Sequence, residues 1–259
     1  MRCSCGCWAS RSRSRGRRAV STPTAASDTR VVLATRSAGK VHELVPLLGA
    51  VGVQVITLAD VGLLETPDED ALEVFDTFEA NALAKARYFA QRTGAIVLAD
   101  DSGLAVDALG GRPGVHSKRW SGRTDLHGVA LDAANNAFLQ EALRMAPVDM
   151  HGDAARAAPA SRRARYVCAA ACVWRDGEEW REAVVRGETT GTLLTTARGS
   201  GGFGYDPYFL SDDLGATFAE VARDAKARVS HRGRAFAALL QLEAVRDRFT
   251  RPVSNELRR

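Results

Sequence analysis

Four short segments carry residue types that could handle a phosphorylated, planar ligand. Thr35-Arg36-Ser37-Ala38-Gly39-Lys40 joins a short apolar run to a helical pattern. A hydroxyl- and glycine-bearing loop at a helix N-terminus offers free backbone N–H groups and the positive end of the helix dipole, which suits phosphate. Lys40 adds a point charge, although the spacing is not that of a Walker A loop. Asp100-Asp101-Ser102-Gly103 closes an apolar strand, and ligands of α/β sheets gather at the carboxyl ends of strands. Neighbouring aspartates in an extended chain point to opposite sides, so one can face a cleft while the other anchors the loop. A cleft carboxylate can hold a hard divalent cation or take a proton from water. Gly199-Ser200-Gly201-Gly202-Phe203-Gly204-Tyr205-Asp206-Pro207 lets backbone approach a partner closely, with Phe203 able to stack on a base and Tyr205-Asp206-Pro207 fixing the turn. Lys226 and Ser230-His231-Arg232 put cationic or switchable groups at a helix start. There an arginine is a good donor to carbonyl and phosphate oxygens. Each segment alone also reads as an ordinary turn or capped helix.

The elements that must position these groups follow an α/β pattern from Arg30 onward. Val31-Val32-Leu33-Ala34 reads as a buried strand, residues 39–50 as a helix with Val41, Leu44, Val45 and Leu48 on one face, and Val53–Leu58 as a second strand. Residues 59–76 form an acidic loop. A helix is predicted from Thr77 to Arg92, with Thr77 as N-cap and Phe78, Ala82, Ala86 and Phe89 as its apolar stripe. Ala95–Ala99 is a strand ending on the aspartates, and Leu104–Leu109 reads as a further strand. Residues 125–145 are helical and 146–163 a loop. Arg165–Trp174 and Glu179–Arg186 form a hairpin around Arg175-Asp176-Gly177-Glu178. A closing helix spans Gly233 to Phe249. Hairpins beside βαβ units imply a mixed sheet with helices packed on it.

Composition excludes several classes. Of 259 residues 46% are hydrophobic and 25% charged, the balance of a globular chain able to bury a core. No apolar run approaches the ~18 residues of a membrane helix, so no membrane association is expected. The formal charge of +4 is misleading, because six arginines lie between Arg2 and Arg18 and no acid precedes Asp28. The rest is near neutral, which argues against a nucleic-acid binder. Residues 1–28 are expected to be a disordered arm. An over-long start is favoured for it over an organellar transit peptide or a basic tether. The domain then spans 29–250, with a tail at 251–259. Cys3, Cys5 and Cys7 lack the partners of a zinc site. Cys168 and Cys172 read as small core hydrophobes in a reducing, cytoplasmic setting.

Taken in order, Thr77-Phe78-Glu79-Ala80-Asn81-Ala82-Leu83-Ala84-Lys85-Ala86, Ala99-Asp100-Asp101-Ser102-Gly103-Leu104, Gly202-Phe203-Gly204-Tyr205-Asp206-Pro207 and Ser230-His231-Arg232-Gly233 resemble the inosine triphosphate pyrophosphatase, or Ham1-like, family. The resemblance runs from about Arg30 to Arg248. It implies an α/β fold, with an elongated mixed β-sheet flanked by helices forming two lobes around a central nucleotide cleft, and a homodimer. The implied activity is magnesium-dependent hydrolysis of deaminated purine triphosphates such as ITP, dITP and XTP to monophosphate and pyrophosphate. The alternative is a Maf-like pyrophosphatase acting on other modified nucleotides. By the same resemblance Asp101 is the general base and a Mg2+ ligand, and Glu73, preferred over Glu69, is the second metal ligand. Thr35, Arg36, Ser37, Ala38, Gly39 and Lys40 hold the triphosphate, with Ser102 beside them and Lys85 pointing at the phosphates. Phe203, Gly204, Tyr205 and Asp206 flank base and sugar, while Lys226, His231 and Arg232 contact the base. Ser37 stands where the family usually has asparagine, and the acidic loop before Thr77 is longer than usual.

Overall fold

In a computed structural model of the chain, residues 30–146 and 161–250 are described. The proposed arm at 1–28, the tail at 251–259 and most of the loop expected at 146–163 lie outside them. Among the described residues the sheet has strand order β2-β1-β3-β4-β5-β6. β1 (Arg30–Leu33) runs parallel to β2 (Gln54–Thr57) on one side and to β3 (Ile96–Val106) on the other. β4 (Arg163–Asp176), β5 (Glu179–Leu193) and β6 (Phe209–Ser211) continue antiparallel. Val31, Val32 and Leu33 are all buried, as expected for a strand covered on both faces.

Strand alternation sorts the core into layers. Val31, Leu33, Leu98, Cys168, Ala170 and Cys172 face one side, where Leu44 and Leu48 of α1 (Ala38–Gly49) and Phe236 and Leu239 of α5 (His231–Gln241) cover them. Val32, Val97, Ala99, Ala169 and Ala171 face the other, under Phe78, Ala82, Ala86 and Phe89 of α2 (Phe78–Thr93). A third cluster joins Leu104 and Tyr166 to Leu139 and Leu143 of α3 (Gly128–Met145). The expected stripe of α2 is the buried one, and Thr77 Oγ1 accepts from the Ala80 N–H at 3.2 Å. Gly94 at φ 66° ends that helix in the left-handed conformation, where only glycine is unstrained.

Several local expectations change, among them the strand read over Leu104–Leu109, which ends at Val106. Val45 is exposed rather than on the buried face of α1. The strand ending at Ala99 does not stop there: β3 runs unbroken to Val106, with Asp100, Asp101 and Ser102 paired opposite Ala170, Ala169 and Cys168. Asp-Asp-Ser-Gly carries turn signals, but the ladder to β4 overrides local preference. The acidic loop contains a 3₁₀ segment, Pro67–Glu73. The closing helix begins earlier and is two, because Leu242 is extended between α5 and α6 (Glu243–Thr250), which turns Val245 and Phe249 into the core. A short helix α4 (Arg223–Val229) and the three-residue β6 were not anticipated, being too short for a periodic signal.

Candidate active site

The continuous β3 sends its two aspartates to opposite faces. Asp100 points toward α1 and α5. Its Oδ2 lies 3.0 Å from Lys40 Nζ and accepts from Arg232 Nε at 3.3 Å and from Ser102 Oγ at 3.1 Å. Its backbone carbonyl accepts from both Lys40 (3.2 Å) and Lys85 (2.6 Å). Burial pushes the Asp100 carboxyl up, but Lys40, Arg232 and Lys85 reverse this and hold it well below the usual carboxylate range. Asp101 points toward α2, where Asn81 Nδ2 donates to its Oδ2 at 2.9 Å. Burial raises the Asp101 carboxyl, with Lys85 and Lys40 pulling the other way. That shift brings its proton affinity closer to what a base at neutral pH needs.

Lys85 sits one helical turn after Asn81 and reaches the same place. Its ammonium pairs with Glu73 at 2.5 Å. Partial burial would raise the Glu73 carboxyl, but Lys85 and Lys40 bring it down to about 2. Glu69, the other acid considered in this loop, is consumed elsewhere: it takes a two-pronged ion pair from Arg36, at 2.9 and 2.7 Å. Arg36 also donates to the Leu63 carbonyl. The Arg36 guanidinium thus ties the Thr35–Lys40 loop to the acidic loop, and leaves the backbone N–H groups of the Thr35–Lys40 loop and Lys40 as its phosphate-binding candidates. Thr35 Oγ1 accepts from the Ser37 N–H, and Ser37 caps α1 through the Lys40 N–H, which leaves the Ala38–Lys40 turn at the helix start.

The other two segments meet over that turn. A Cβ on Gly39 would fall 2.9 Å from the Phe203 ring, so the ring lies directly on the first turn of α1. Lys226 Nζ is 5.3 Å and the Arg232 guanidinium 5.1 Å from the same ring. Lys226 bridges Glu43 (2.5 Å) and Asp206 (2.6 Å), and Arg232 donates to Glu43 (2.8 Å) and to Ser102 (2.8 Å). Asp206 also accepts from the Phe203 N–H at 2.9 Å. Sequence reasoning misses Glu43 and Asn81 as site residues, and reads Asp100 only as one of a pair in which one aspartate anchors the loop. Glu43 follows Lys40 by three residues, so it shares a helix face with it. Asn81 precedes Lys85 by four, the same signal.

Two expected base contacts are placed differently. Tyr205 is 4% exposed, in the third core cluster, and its hydroxyl donates to the Ser117 carbonyl at 2.8 Å. It holds the turn together instead of facing a sugar. His231 is 1% exposed and stacks on Tyr166, with ring centroids 4.6 Å apart and planes 8° off parallel. Burial, with Arg232 and Lys226 nearby, holds its imidazole well below its ordinary range, hence neutral.

Asp101 and Glu73 are the two carboxylates on the α2 side of the site that could hold a metal. Both are hard oxygen donors and both interact with Lys85. Among the described residues no group of three or more His, Cys, Asp or Glu could hold an ion. The set fits an ion that takes one or two protein carboxylates and completes its shell with substrate phosphates and water, which is how Mg2+ is usually held.

Comparison with known proteins places the chain in a family. The model of the Ham1 family matches residues 31–242. The dITP/XTP pyrophosphatase of Frankia alni is 47% identical over 214 residues, covering 82% of this chain and 96% of that protein. Its namesake from Nocardia farcinica is 48% identical over 223 residues, covering 85% and 97%. Among solved structures, a HAM1 protein from Coxiella burnetii superposes with a TM-score of 0.63 at 31% identity, covering 82% of this chain and 96% of that one. The nucleoside-triphosphatase / dITP/XTP pyrophosphatase from Mycobacterium abscessus does so with a TM-score of 0.57 at 41% identity, covering 83% and 100%. A match of this extent leaves one assignment: the chain belongs to the Ham1 family.

Proposed function

We propose that this protein hydrolyses the deaminated purine nucleoside triphosphates ITP, dITP and XTP to the monophosphate and pyrophosphate, clearing them from the nucleotide pool. The observation that carries the mechanism is Asp101, a carboxylate 6% exposed, oriented by Asn81 and flanked by the cations of Lys40 and Lys85. A water oxygen attacks phosphorus while Asp101 takes one of its protons. The anhydride bond breaks and its electron pair leaves on the pyrophosphate. Lys40 and Lys85 stand where that charge develops, and preorganised cations lower such a barrier most in a site that excludes water. Magnesium, held by Asp101 and Glu73, would neutralise phosphate charge and polarise phosphorus when bound.

Specificity rests on the 6-position of the purine. Hypoxanthine and xanthine offer a 6-oxo acceptor where adenine offers an amino donor. Arg232, fixed by Glu43, Asp100 and Ser102, itself presents donors only, which match a 6-oxo oxygen and not an adenine amino group. A site built to hydrogen-bond one partner can reject the other by up to the order of 10⁴-fold. The Ham1 match does not favour the Maf-like alternative. No described helix is long and apolar enough to cross a membrane. The free, buried thiols of Cys168 and Cys172 suit a reducing cytoplasm, and the family resemblance supports a homodimer.

The test is pyrophosphate release from ITP, XTP, GTP, ATP and TTP with magnesium, with and without EDTA. Metal-dependent release from ITP and XTP, with ATP poor, is expected. Equal turnover of ATP and ITP contradicts the reading.

A further inference from the structure

The Phe203 ring lies on a turn whose backbone is gripped from outside the site. Gly204 adopts φ +62°, a left-handed conformation in which both its amide and its carbonyl are available to α3. Asp132 Oδ2 accepts from the Gly204 N–H at 2.8 Å, and Asn136 Nδ2 donates to the Gly204 carbonyl at 2.8 Å. Asp132 and Asn136 are one helical turn apart, so they share a face. Asn136 also donates back to the Asp132 carbonyl, which couples the two. α3 is itself seated by Leu139 and Leu143 in the third core cluster. Asn135 fastens it to the segment after β3, accepting from the Ser121 N–H and donating to the Lys118 carbonyl. On the other side of the ring, the Phe203 N–H is held by Asp206. A Cβ on Gly202 would meet Asp206 Oδ2 at 2.1 Å, so the turn closes tightly at that end as well.

We infer that Asp132 and Asn136 are positioning residues for purine binding: through Gly204 they fix the plane and height of the Phe203 platform, and so set affinity for the base without touching the reacting phosphates. Neither residue belongs to the carboxylate–cation network around Asp101, and neither is assigned a role by the comparisons. The inference rests on the proposal that Phe203 stacks on the base, and the experiment separates the two.

Steady-state kinetics with ITP would be measured for Asp132→Ala, Asp132→Asn, Phe203→Ala and the double variant Asp132→Ala/Phe203→Ala. Losing a charge-assisted hydrogen bond to the platform is expected to raise KM about tenfold in Asp132→Ala. kcat should hold, the mark of lost uniform binding. Asp132→Asn keeps an acceptor for the Gly204 N–H and should restore KM to within about twofold of the parent. The double variant should be no worse than Phe203→Ala alone, because a platform without its ring has nothing left to align. Asp132 lies at the half-buried edge of α3, and thermal unfolding of each variant would check that it is folded. If Phe203→Ala leaves KM unchanged, the stacking reading fails. If Phe203→Ala raises KM but Asp132→Ala does not, or if the two effects multiply in the double variant, the positioning role fails. A drop in kcat without a change in KM also overturns it.

Discussion

At the scale of single residues, the site is a balance of buried charges in which each cation has a carboxylate already waiting. Lys40 has Asp100, Lys85 has Glu73, and Lys226 and Arg232 share Glu43. A buried cation without a counterion would be costly, and these acids offset the cost of holding four cations beside one another. Arg232 is the sharpest case, because its fork is spread over three acceptors and its position is overdetermined. Arg232→Lys keeps the charge but loses the planar fork. It is expected to narrow the ITP-to-ATP ratio of kcat/KM by at least about tenfold; an unchanged ratio would place discrimination elsewhere. Sequence made the cations legible as motifs, since Lys40, Lys226 and Arg232 sit at helix starts or in short signatures. It did not reveal which carboxylates serve them. Glu43 and Asp100 lie 189 and 132 residues from Arg232 along the chain, and no local spacing announces contacts at such separations. Arg36 and Tyr205 carried the right chemistry for a site, yet tertiary packing used them to fasten loops.

At the scale of elements, the site depends on helices seated at fixed depth on the sheet. α5 delivers His231 and Arg232, and it sits on β5 at Gly187, where an added Cβ would lie 2.4 Å from the Ala235 nitrogen and 2.5 Å from the His231 carbonyl oxygen. Those are backbone atoms and cannot rotate away. Gly187→Ala is therefore expected to cost about 1–3 kcal/mol of stability, a Tm drop of several degrees, and to lower kcat/KM for ITP by displacing Arg232. Gly49→Ala is the control, because nothing lies within 4 Å of its added Cβ. Equal behaviour of the two variants, by thermal unfolding and ITP turnover, would remove the seating argument. The helices and long strands were readable from periodicity and caps. The breaks were not: β3 continues through Asp-Asp-Ser-Gly because β4 pairs with it, and the terminal helix divides at Leu242 because Val245 and Phe249 find the core. Both outcomes are set by tertiary contacts.

At the scale of the whole molecule, burial of titratable groups makes stability depend on pH. His231 is neutral in the folded protein, its imidazole held well below 6.5, whereas the unfolded chain takes up the proton. The unfolded state thus binds more protons below about pH 6.5, so this contribution is present above that pH and lost as pH falls through it. Glu73, lowered from 4.5 to about 2, acts with the same sign but only below 4.5. Tm is expected to fall between pH 7.5 and 5.5 in the parent protein and to fall less in His231→Phe, which keeps the ring stacked on Tyr166. Identical slopes would mean that another group governs this range. In the proposed mechanism the buried Asp101 carboxylate takes the proton from water beside the cations of Lys40 and Lys85. The most direct test is kcat for ITP in Asp101→Asn, with folding verified by an unchanged unfolding profile at pH 7.5. Loss of general-base function predicts a fall of at least ~10²-fold, whereas near-parent turnover in the folded variant would remove Asp101 from the role of base.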